Sequence, residues 1–176
     1  MKRIKQHSTF FFLLGTLLIS SPALISCQNE STEMTSEEKE TAKKEISALE
    51  NKLLRDSEKM DIEAALKPYL NTADFISIQQ DGTACNYEAM KSHYIENSKR
   101  IAGYKATTIK EEYRFLNKNE VLYTWFGKVE ATLKTGEKHK TDAYASSAIF
   151  SKINNVWKIV YEHSSMAPPI KIGATK

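Results

Sequence analysis

The sequence is poor in the residue types that most small exported or catalytic domains rely on. It has two cysteines in 176 residues, Cys27 and Cys85, so a framework of several disulfides is excluded. Its four histidines, His7, His93, His139 and His163, are scattered without the close spacing of a metal-ligand pair, and Cys85 has no neighbouring thiol. No metal or cofactor is therefore expected. No Gly-x-Ser-x-Gly elbow and no glycine-rich phosphate loop occurs. The uncharged stretch from Thr9 to Ser26 is interrupted by Ser20, Ser21 and Pro22, and its apolar core is shorter than the roughly 20 residues of a membrane span.

What is present begins with Lys2, Arg3 and Lys5 ahead of that short apolar run, the pattern of a secretory signal over residues 1–26. Leu24-Ile25-Ser26-Cys27 resembles a bacterial lipobox, which predicts cleavage before Cys27 and acylation of its thiol. The expectation is an exported protein, lipid-anchored to the cell envelope through Cys27, with residues 27–35 as a polar tether. An acylated Cys27 leaves Cys85 unpaired, so an apolar core must hold the domain together. The formal charge of +3 comes from the signal: without it the chain carries 22 basic and 22 acidic residues. A nucleic-acid partner is not expected.

Thr35 and Glu38 have the spacing of a capping box, and Ala42, Ile46, Leu49 and Leu53 then recur at the helical period, predicting a helix to about Glu58. Asp61 caps a shorter second helix that Pro68 makes irregular at its end. Phe75, Ile76 and Ile78 predict a short strand closed by an Asp81-Gly82 turn. Asn86 opens a third helix to about Arg100 with Tyr87, Met90 and Tyr94 aligned. Four antiparallel strands follow, Lys105–Phe115, Val121–Leu133, His139–Ser151 and Val156–Ser164, joined by short turns. Ile109, Tyr113 and Phe115 are expected on one face of the first, Tyr123 and Trp125 on one face of the second. Helices first and strands second imply an α+β domain with one sheet face covered by helices.

The last strand carries a resemblance. Val156-Trp157-Lys158-Ile159-Val160-Tyr161-Glu162-His163-Ser164-Ser165, followed by Ala167-Pro168, is similar to the final strand of SnoaL-like domains and of the calcium/calmodulin-dependent kinase association domain. Both belong to the nuclear transport factor 2-like superfamily, and the element order and the Asp81-Gly82 turn fit it. The resemblance covers Glu37 to Pro168. It implies a cone: about three N-terminal helices on a strongly bent antiparallel sheet, a pocket at the open end, and a homodimer through the outer sheet face. The domain is thus expected over residues 36–168, with 169–176 as a C-terminal tail.

Within Val156–Ser165, residues two apart share a face, so Trp157, Ile159, Tyr161 and His163 are expected to point one way and Glu162 the other. Glu162 and His163 then cannot pair as an acid-oriented imidazole, which excludes a serine hydrolase here. Trp157, Tyr161 and His163, with Tyr123 and Tyr144, are the candidate pocket residues. His163 reads as a wall histidine, a ligand contact or an acid–base group. With none of these residues in a motif of a catalytic member, the pocket is expected to bind a small, partly apolar molecule or a partner segment without chemistry. Enzymes of this fold imply a second reading, an isomerase, dehydratase or cyclase, with Asp81, Asp142 or His163 and a tyrosine as its parts. A third is an assembly role through the dimer face. A pocket carboxylate within hydrogen-bond reach of a tyrosine or of His163 favours the enzyme; a lining of aromatics and hydroxyls alone favours binding.

Overall fold

A computed structural model of the protein describes residues 33–173; the signal segment and Cys27 lie outside the described residues. Helix α1 spans Ser36–Glu58 and starts where the capping box places it. The Thr35 backbone N–H donates to Glu38 Oε2 at 2.7 Å, and the Glu38 N–H donates to Thr35 Oγ1 at 3.2 Å. At its other end Asp61 N donates to Asp56 O and Met60 N to Ser57 O, with Met60 in the left-handed region at φ 59°. That closure needs a left-handed residue, and a methionine supplies it where glycine is usual. The turn delivers Asp61 directly as the N-cap of α2, Ile62–Ala65.

Strand β1 (Ile76–Ile78) and the two-residue β2 (Ala84–Cys85) flank the Asp81-Gly82 turn, where Gly82 takes φ 83°. Asn86 caps α3, Tyr87–Ser98. Four long strands follow: β3 Ile101–Asn117, β4 Glu120–Leu133, β5 Lys138–Ile153 and β6 Val156–Met166. A short β7, Ile170–Ile172, pairs with the Lys138–Lys140 end of β5. The sheet therefore continues past the boundary expected at residue 168, because the start of β5 offers it a free edge.

The sheet order is β2-β1-β6-β5-β4-β3, with β7 off this path on β5. It is mixed rather than wholly antiparallel: β1 lies parallel to β6, with Ile76 opposite Tyr161 and Ile78 opposite His163. The segment before β1 is tied to the same strand, since Leu70 N donates to Ile159 O and Ile159 N to Pro68 O. Register shifts interrupt β3 at Ile109, β5 at Asp142–Ala143 and β6 at Val160. Each such bulge bends its strand and reverses the inside–outside alternation beyond it.

Two expected facings fail for this reason. Ile109 sits at the β3 bulge and is exposed, while Glu111, Tyr113 and Phe115 share the inner face. On β6 the residues before the bulge, Trp157 and Ile159, are buried; beyond it Glu162 and Ser164 turn inward and His163 is exposed.

The helices cover the inner face. Ile46, Phe75, Met90, Val121 and Phe150 are fully buried in one cluster that joins α1, α3 and the sheet. Fully burying such side chains contributes about 1.5–3 kcal/mol each, enough for a domain without a disulfide. On β4 the inner row is Val121, Tyr123, Trp125 and Gly127, and Leu122 and Phe126 face outward.

Candidate functional site

Between the helices and the inner sheet face lies a cavity of about 330 Å³. Helix α1 supplies Glu50, Leu53, Leu54 and Ser57, and α3 supplies His93, Tyr94 and Asn97. The sheet supplies Tyr104 from β3, Tyr123 and Trp125 from β4, Tyr144 and Ser146 from β5, and Glu162 from β6. Tyr69, Gln79 and Gln80 close it from the segments flanking β1.

Glu162 is buried and held by three hydroxyls. Ser146 Oγ donates to its Oε1 at 2.9 Å, Ser164 Oγ to the same oxygen at 3.4 Å, and Tyr69 OH to its Oε2 at 3.1 Å. Burial raises its pKa above the ordinary carboxylate value, and the three donors pull partly against that. Tyr69 is itself fixed by an edge-on contact with Phe75, ring centres 5.7 Å apart.

Glu50 faces the same cavity but accepts no hydrogen bond from any described residue, and its pKa is pushed up to about 8. Burial is the main cause, with the negative charges of Glu162 and Glu111 adding to it. Glu111 lies behind the wall and is satisfied: Ser47 Oγ donates to it at 3.1 Å, Tyr123 OH at 2.9 Å and Tyr113 OH at 3.2 Å. The phenols of Tyr69, Tyr94, Tyr104, Tyr123 and Tyr144 are all pushed above their usual range, chiefly by burial. They remain protonated donors at any physiological pH.

The remaining polar groups hold the walls. Gln80 Nε2 donates to Tyr144 OH at 2.9 Å, and Trp125 Nε1 donates to Thr108 Oγ1 at 2.9 Å while its ring packs edge-on against Tyr144 at 5.7 Å. His93 and Asn97 are joined at 2.8 Å.

Of the sequence-derived candidates, Tyr123 and Tyr144 line this cavity. Trp157 is buried in the core with its Nε1 donating to Glu45 at 2.7 Å, away from the cavity. Tyr161 and His163 project to the other sheet face because Val160 bulges out of register. Asp81 accepts from the backbone N–H of Thr83 within its own turn at 2.9 Å, and Asp142 pairs with Lys128 and Lys140 on the surface. Neither lines the cavity.

The two pocket carboxyls, Glu50 and Glu162, were not among the expected site residues. Glu50 left a signal: it stands one turn after Ile46 and three residues before Leu53, an acid on the apolar stripe of an amphipathic helix. Among the described residues no three His, Cys, Asp or Glu side chains gather as metal ligands.

No family model and no curated protein matches the sequence. Solved structures do match it in shape. A nuclear transport factor 2-like superfamily protein from Salmonella enterica superimposes with a TM-score of 0.67 at 18% identity, over 78% of this chain and 99% of that one. The fold is that of the nuclear transport factor 2-like superfamily. A type 3 hexachlorocyclohexane dehydrochlorinase from Novosphingobium barchaimii shares this cone at 10% identity and a TM-score of 0.69, over 80% of this chain and 97% of that one. A protein provisionally assigned as a scytalone dehydratase from Novosphingobium aromaticivorans shares it at 8% identity and 0.71, over 80% and 94%. At these identities the likeness establishes the fold alone and leaves the chemistry to the residues of the cavity.

Proposed function

We propose that this nuclear transport factor 2-like domain is an acid–base enzyme, of the isomerase or dehydratase type, acting on a small, partly apolar molecule. The observation that carries this reading is Glu50, a pocket carboxyl without a hydrogen-bond partner among the described residues, whose pKa is pushed up to about 8. A base is most effective when its pKa lies near the working pH, and an unpaired carboxylate in a sheltered cavity keeps its full basicity. Glu162 with Tyr69 at 3.1 Å forms the fixed polar pole opposite, and meets the condition set by a carboxylate within reach of a tyrosine. Glu50 removes a proton from a carbon of the substrate. The protonated phenols of the wall stabilise the negative charge that develops on the substrate's oxygen or leaving group. Solved structures of similar shape that are described as a dehydrochlorinase and a dehydratase support this choice.

A generic probe tests it without knowledge of the substrate. 5-Nitrobenzisoxazole opens when a base takes its C3 proton and the N–O bond breaks, releasing a coloured phenolate. The full-length chain in detergent is expected to accelerate this reaction over buffer, with a rate that rises through a pH of about 8. Glu50→Gln is expected to remove about 100-fold of that acceleration. A rate at the buffer level, or one that Glu50→Gln leaves intact, overturns the acid–base reading and returns the pocket to ligand binding without chemistry.

We further propose that the domain is held at the cell envelope by a lipid anchor at Cys27 and forms a homodimer through the outer sheet face that carries Leu122 and Phe126. Cys27→Ser is expected to release the protein from the membrane fraction and abolish incorporation of labelled acyl chains. Retention of both properties removes the anchor from the proposal.

A further inference from the structure

The charge of the cavity is one-sided. Among the described residues that line it, Glu50 and Glu162 are the two carboxyls, no Lys or Arg occurs, and the other titratable groups are His93 and phenols. An anionic ligand entering this space meets two carboxyls and no compensating cation. A cation meets them as partners, with aromatic walls whose ring faces carry negative potential.

Glu162 retains room for such a partner. Its Oε2 accepts one hydrogen bond, from Tyr69, and a carboxylate oxygen accepts two. Glu50 accepts none from any described residue and faces the same space. Trp125 and Tyr144, locked edge to face, present rigid aromatic surface beside Ser146 and Glu162.

We propose that the cavity takes substrates bearing an ammonium group on a compact apolar or aromatic body, with the ammonium held between Glu162 and the Trp125–Tyr144 wall and facing Glu50. This deepens the acid–base reading and rests on it for the role of Glu50. The substrate's own charge then prepares the base. The acidic groups that act on Glu50 are Glu162 from β6, in the same cavity, and Glu111 from β3, behind its wall; both raise its pKa. A bound cation offsets them, so Glu50 gives up its proton as the substrate arrives and is ionised when a base is needed. His93 from α3 and the surrounding phenols add no negative charge at neutral pH.

Three probes of one size separate the classes: benzyltrimethylammonium, benzyl alcohol and benzoate. With the full-length chain at pH 7, benzyltrimethylammonium is expected to bind about tenfold more tightly than benzyl alcohol, and benzoate not at all. Calorimetry in two buffers of different ionisation enthalpy is expected to show proton release on binding the ammonium and none with the alcohol. Glu162→Gln, verified as folded by its melting transition, is expected to lose about tenfold in ammonium affinity. Alcohol or benzoate binding as tightly as the ammonium, an unchanged affinity in Glu162→Gln, or no binding of any probe overturns the proposal. Nitrobenzisoxazole opening is independent of these outcomes, because that probe is neutral. Lost cation preference with retained opening removes the substrate class alone, and retained preference without opening removes the chemistry alone.

Discussion

Replacing Glu50 by glutamine is expected to make the protein more stable as the pH rises, although it removes the pocket's base. In the folded state Glu50 titrates at about 8, against an ordinary value of 4.5. The folded state therefore binds a proton that the unfolded chain has already released throughout that window. Stability from this group is undiminished below about 4.5 and drains away as the pH climbs to about 8. Each pH unit in the window costs at most about 1.4 kcal/mol. The carboxyl opens onto a cavity that admits water, so a total on the order of 2–3 kcal/mol is expected rather than the full product. Glutamine keeps the shape and has no charge to desolvate.

Urea unfolding of both proteins between pH 5 and 8 measures this directly. The variant's advantage should grow with pH and vanish near pH 5. A stability difference that is flat across the range sinks the assignment of a raised pKa to Glu50, and with it the argument that this side chain is poised for proton transfer. A strained, uncompensated charge at the expense of stability is what a working acid–base group in an apolar pocket requires.

The helices were legible in the sequence because their ends are chemically marked. Thr35 with Glu38, Asp61 and Asn86 each cap the helix that their side chains predicted. The hairpin turns were equally plain: Asn154 and Asn155 both adopt positive φ, as the two central residues of a type I′ hairpin turn must. The identity of the site was not legible, and one residue explains most of that. Alternation along β6 assigns His163 to the face of Trp157 and Ile159, but Val160 has no partner on β5, which pairs Ile159 with Phe150 and Tyr161 with Ile149. From there Glu162 occupies the inward place that alternation gave to His163. Nothing in Ile-Val-Tyr announces such a bulge, because the curvature that requires it is a property of the whole sheet. Glu50 was hidden differently, as one acid among many on a helix where Glu and Lys dominate the solvent side.

The second large effect is expected at Gly127, where the fold leaves space for the pocket's largest ring. Gly127 follows Trp125 by two residues on the inner face of β4, and the indole lies across it. A Cβ at position 127 would fall 2.1 Å from both Cζ2 and Cη2 of Trp125 and 2.7 Å from the Thr107 carbonyl oxygen. The ring atoms are rigid and the carbonyl belongs to the adjoining strand β3, so neither yields cheaply. Gly127→Ala must drive the indole off its seat, breaking its hydrogen bond to Thr108 and its edge-on packing against Tyr144. The free space beside it is the cavity itself. The variant is expected to lose about 3 kcal/mol of stability and its capacity for benzyltrimethylammonium together. Adding Trp125→Leu removes the clashing ring and should recover part of the stability, leaving the contact with Thr107 in place. Urea midpoints of the single and double variants measure the coupling. A Gly127→Ala protein within about 0.5 kcal/mol of the parent, with ammonium binding intact, shows that the indole has another place to go.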